Sequence, residues 1–112
     1  MKIDYDLIRE IMLYIEKNPS GRKKLTYSFI RKNMDIDKNM FDLHMKYLSN
    51  AGLIDKLGPI VVTGLSNAGH DFLKHTRENS IWNKVKSTMQ GKAIDSLPTV
   101  AYEIFSQLMY PC

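Results

Sequence analysis

A mainly helical α+β domain is what this 112-residue sequence predicts, and three observations predict it. Apolar residues recur at helical spacing over most of the chain. Two short β-prone runs, "LIDKL" and "IVVTG", flank Gly58 and Pro59 as the arms of a hairpin do, and a helix, turn, helix pattern directly precedes them. With 44% hydrophobic and 25% charged residues, the composition suits one globular domain around a single core.

The first helix is expected from Asp4 to about Asn18. Asp4 can cap it, Ile8, Ile11, Met12 and Ile15 form one apolar face, and Asn18-Pro19 supplies the stop. "NPSGRKK" follows as a polar connection. In "LTYSFIRKNMDIDKNMFDLHMKYLSNAGLI", residues 25 to 54, Phe29, Ile30 and Met34 are expected inward on a short helix and Asp35 to Asp37 in a turn. Asp37 then caps a longer helix whose buried seam is Phe41, Met45 and Leu48, at i, i+4 and i+7. Gly52 ends that helix, because a residue just past a helix end often needs positive φ. Residues 25 to 30 also read as a strand, since Leu25, Tyr27 and Phe29 alternate with Thr26 and Ser28. Periodicity leaves both possibilities open there.

After the hairpin, Ser66 is expected to cap "NAGHDFLKHTREN", and a further helix begins near Ser80 with Trp82, Val85 and Met89 on one side. Ser96 and Pro98 start a last helix carrying Val100, Ala101, Ile104, Phe105, Leu108 and Met109. That stripe is wide for one neighbour and predicts a homodimer. The arrangement is a winged helix-turn-helix with a two-stranded wing over residues 1–65, and a C-terminal helical extension, 66–112, packed on it. From Leu25 to Ile54 the chain resembles MarR- and ArsR-type winged-helix regulators, which close their second helix with "L..L...GLI"; Met45, Leu48, Gly52, Leu53 and Ile54 stand at those positions here. "VTGLSNAGHDFL" resembles the "LT..G...L" by which such domains leave the wing. Through "DYDLIREIMLYIEKNP", "HMKYLSNAGLI" and "GLSNAGHDFLKHTRENSIWNKVK", the whole chain is also similar to a bacterial family of unknown function frequent in phages and prophages. That resemblance implies the fold and a phage-linked setting, and no activity.

Net charge is +4, and its distribution matters more than its size. Residues 20–50 hold seven Lys and Arg against three acids, while 1–19 hold three against four and 51–112 six against five. Duplex DNA is therefore the expected partner. Lys38, Asn39 and Lys46 face outward on the second helix, Arg22, Lys23 and Lys24 can hold the backbone, and Arg31, Lys32 and Lys56 extend the footprint. Met40 and Leu43, with Asp42 between them, suit a polyanion less well. They support the other expectation, a host-protein contact on Met40, Leu43, Phe105 and Met109.

No catalytic constellation is expected. His70 and His75, five apart, are about 140° apart around a helix, and His70-Asp71 side chains diverge, so a structural role is expected of that pair. Neither a metal nor a cofactor is expected, and the one cysteine, Cys112, is at the end of the chain. No run of apolar residues is long enough to span a bilayer, and "MKIDYDLIRE" does not read as a signal peptide, so the cytoplasm is the expected location.

Overall fold

The structure is a computed structural model that describes residues 2–18 and 25–109. It is mainly helical with a small antiparallel sheet, and it divides into two compact units, 1–69 and 70–112. The first unit runs α1 (Tyr5–Lys17), β1 (Leu25–Thr26), α2 (Tyr27–Met34), α3 (Lys38–Asn50), β2 (Ile54–Lys56) and β3 (Val61–Leu65). The division falls within α4 (Asn67–Thr76).

Asp4 caps α1 by accepting from Leu7 N–H at 3.3 Å, and Ile8, Ile11, Met12 and Ile15 are all buried as their spacing predicts. This face meets α3 and β3. On α3, Phe41, Met45 and Leu48 are joined in burial by His44 and Tyr47. Each fully buried side chain of this size stabilises the fold by roughly 1.5–3 kcal/mol.

The open question at residues 25 to 30 resolves in both directions. Leu25 and Thr26 are strand, paired with Val62 and Val61 of β3, and Thr26 then caps α2 by accepting from Phe29 N–H at 3.1 Å. The sheet consequently has three strands in the order β1-β3-β2, where two were expected. Pairing across some 36 residues of chain leaves no local pattern. Phe29 is a second correction: it is 43% exposed, and of the expected inward trio only Ile30 is fully buried. An eight-residue helix with one end tied to a sheet has room to bury only a narrow face.

Both α2 and α3 end in the same backbone device. At α3, Leu53 N–H reaches Leu48 C=O at 3.0 Å and Gly52 N–H reaches Ser49 C=O at 3.2 Å, with Gly52 at φ +71°. At α2, Ile36 N–H reaches Arg31 C=O and Asp35 N–H reaches Lys32 C=O, with Asp35 taking the left-handed position at φ +54°. Aspartate tolerates this conformation better than most residues with a Cβ. Ile36 and Asp37 then lead into α3, whose cap Asp37 accepts from Asn39 and Met40 N–H.

Ser66 closes the unit. Its hydroxyl donates to Gly52 C=O and accepts from Gly69 N–H at 3.0 Å, while its own N–H donates to Leu53 C=O at 3.1 Å. A Cβ on Gly69 would lie 2.1 Å from that same Leu53 oxygen, so the start of α4 sits directly against the chain leaving α3. Ser66 and Gly69 are the two residues this junction demands.

The second unit holds the remainder of α4, α5 (Asn79–Thr88), a 3₁₀ turn (Ile94–Ser96) and α6 (Leu97–Met109). Trp82 is buried edge-on to Phe72, with ring centroids 6.0 Å apart, and α5 packs on α6. The last helix begins at Leu97, one residue after the expected start, with Pro98 in its first turn. Val100, Ala101 and Ile104 are buried, Phe105 is half-buried, and Tyr102, Leu108 and Met109 are exposed.

Candidate nucleic-acid interface

The burial of Phe41, His44, Met45, Tyr47 and Leu48 fixes which way α3 faces. At about 100° per residue, Asn39, Lys46 and Asn50 fall within about 40° of one another on the opposite side, and all three are exposed. Asp42 and Leu43 flank this line. Met40 and Leu43 are half-buried, so the apolar surface expected on this helix is smaller than its sequence implies. Asn50, an i+4 neighbour of Lys46, belongs to the same row, and the periodicity that marks Lys46 marks it too.

Two surface hollows of about 260 Å³ each run beside this row. One is bounded by Asp42, Lys46, Asn50, Lys56 and Pro59, the other by Arg31, Lys38, Asp42 and Ile60, and Tyr27 lines both. The hairpin and the start of α2 thus border the polar face of α3. Lys56 is held there by Tyr27, its ammonium 4.9 Å from the ring centroid. Tyr27 itself packs edge-on against Phe41 at 5.8 Å and donates its backbone N–H to Ile60 C=O at 2.9 Å. No sequence motif marks Tyr27, because its role comes from meeting three elements at once.

Charge along the row is mixed. Lys38 pairs with Asp42 at 3.2 Å, but with side chains 74% and 50% exposed the pair is worth little and a phosphate can compete for the lysine. Arg31, Lys38, Lys46 and Lys56 are therefore brought together around the hollows, whereas Lys32 is exposed on α2 and lines neither. Arg22, Lys23 and Lys24 lie outside the described residues, as does Cys112.

The three histidines sit in different surroundings. His44 is wholly buried: its Nε2 accepts from Asp4 N–H at 2.8 Å, which leaves Nδ1 to carry the hydrogen and donate to Met40 C=O at 2.7 Å. It seats α3 against the start of α1. His70 and Asp71, given a structural role from sequence, are both exposed. His75 lies against Tyr102 and Phe105, and burial there lowers its pKa below the usual 6.5, with Asp71 opposing and Lys74 reinforcing the shift. Among the described residues no group of three or more His, Cys, Asp or Glu can hold a metal ion, and no helix is long and apolar enough to cross a membrane.

A family model described as hypothetical protein (DUF2513) matches residues 2–95. A relative from Haemophilus influenzae, named only as an uncharacterized protein, is 29% identical over 120 residues, covering 97% of this chain and 99% of its own length. No solved structure matches.

Proposed function

Since the chain belongs to the DUF2513 family, whose description carries no activity, we propose its function from the geometry: residues 1–65 are a winged helix-turn-helix that binds duplex DNA through α3, in a non-catalytic transcriptional regulator. The observation that carries this reading is the exposed row Asn39, Lys46 and Asn50, bordered by Arg31, Lys38 and Lys56. A helix of 13 residues is about 20 Å long and fits a major groove about 12 Å wide. Asparagine can pair bidentately with adenine N6 and N7, lysine can contact guanine or phosphate, and the flanking cations can hold the backbone. A host-protein contact on Met40 and Leu43 is less well supported, because both are half-buried beside a polar row.

For the second unit we propose homodimerisation through α6, supported by Tyr102 and Met109 on one exposed side of the helix with half-buried Phe105. Fluorescence anisotropy on Lys46→Ala and Asn39→Ala variants tests the DNA reading. Loss of Lys46 should weaken binding to every duplex and reduce the salt slope by about 0.9, while loss of Asn39 should cost about 1–3 kcal/mol of discrimination between sequences. Binding unchanged in both variants contradicts α3 as the contact.

A further inference from the structure

The tip of the hairpin, Leu57 to Ile60, has a composition its turn does not require. Gly58 sits at φ +81°, and proline after it stiffens the turn, but nothing in the backbone asks for large apolar side chains on either side. Leu57 is nonetheless 64% exposed and Ile60 57% exposed. The tip is also held in place: Leu57 N–H donates to Val61 C=O at 2.9 Å, Ile60 C=O accepts from Tyr27 N–H at 2.9 Å, and Lys56 immediately before it is fixed over the Tyr27 ring.

Pro59 and Ile60 border the same hollows as Lys46, Arg31 and Lys38, so the apolar tip stands beside the cationic and polar face of α3. A polyanion laid on that face meets it. Apolar side chains on a braced turn, beside a surface where cations outnumber carboxylates, have the chemistry of a wedge that enters the minor groove and unstacks a base step. We infer that Leu57 and Ile60 form such a wedge and that the protein deforms the duplex it binds. This rests on the DNA-binding reading above, and the tip's surroundings favour DNA over a protein because the hollows that Pro59 and Ile60 border carry Arg31, Lys38, Lys46 and Lys56 against one carboxylate, Asp42.

The test uses the full chain and an A·T-rich duplex carrying 2-aminopurine at TA steps along its length, read by anisotropy for binding and by 2-aminopurine fluorescence for unstacking. The wild type should bind and raise the fluorescence. A Leu57→Ser, Ile60→Ser double variant, with its fold checked by circular dichroism, should keep its affinity within about tenfold and its salt slope unchanged while losing the fluorescence rise. Ile60→Ser alone should show a partial loss. Wild-type binding without a rise, or a full rise in the double variant, overturns the wedge and leaves the DNA reading standing. Absence of wild-type binding in the anisotropy channel overturns both.

Discussion

Gly69→Ala is the substitution whose sign the structure and helix propensity dispute most sharply. Propensity alone favours alanine in a helix by about 1 kcal/mol. The Cβ it adds, however, would lie 2.1 Å from Leu53 O, 3.1 Å from its carbonyl carbon and 3.3 Å from Leu65 Cβ. The first contact is with backbone, so α4 or the chain after α3 must move by about 1 Å. Overpacking of this kind costs roughly 1–3 kcal/mol. The displacement also strains the Ser66 N–H bond to the same oxygen and the Ser66 hydroxyl cap on Gly69 N–H, each worth about 1 kcal/mol. The net expectation is a loss of about 2–3 kcal/mol, or roughly 10 °C in Tm for a domain of this size. Thermal unfolding followed at 222 nm measures it, with Asn67→Ala, an exposed change in the same turn, as a control expected within about 0.5 kcal/mol. A Gly69→Ala protein as stable as the wild type, or more so, refutes the proposed close approach.

Four further outcomes are expected. His44→Leu removes the acceptor of Asp4 N–H and the donor to Met40 C=O, and should lower stability by about 2–3 kcal/mol in urea unfolding; a change under about 0.5 kcal/mol would show that the tie is dispensable. Asp42→Asn removes the carboxylate beside the proposed contact row and frees Lys38, so duplex binding in anisotropy should tighten about 2–5-fold, whereas weaker binding would contradict the placement of a phosphate there. His75 binds fewer protons folded than unfolded, since burial lowers its pKa; its part of the stability is present above pH 6.5 and is lost as pH falls through 6.5 toward the folded value. Wild type should therefore lose more Tm than His75→Gln between about pH 7.5 and 5.5, and equal losses would refute the assignment. Met109→Glu should convert the proposed dimer to a monomer in light scattering, while a wild-type monomer at working concentrations removes that proposal.

What the sequence made legible was local. Asp4, Asp37 and Ser66 cap the helices they precede, Gly52 supplies a left-handed residue, and the apolar periods of α1, α3 and α5 predict the buried faces. What escaped was set by contacts distant in the chain. β1 exists because Leu25 meets Val62, and His44 is buried in the polar company of Asp4, 40 residues away. Phe29 looked like core because it is apolar next to Ile30, yet the short helix buries only one of them fully. The same holds for the candidate site. Lys38, Asn39 and Lys46 could be read from helical spacing, but Tyr27 as the support of Lys56, and the exposed tip beside α3, depend on how the hairpin returns to α2.

Titrating the wild-type protein into a fluorescent random-sequence duplex at several salt concentrations tests whether α3 and its flanking cations hold DNA. With Arg31, Lys38, Lys46 and Lys56 contacting phosphate, log affinity should fall against log salt with a slope of about −3.6 per bound chain, and unlabelled duplex should compete. No binding at low salt, or binding indifferent to salt, would contradict a duplex held on the cationic face of α3.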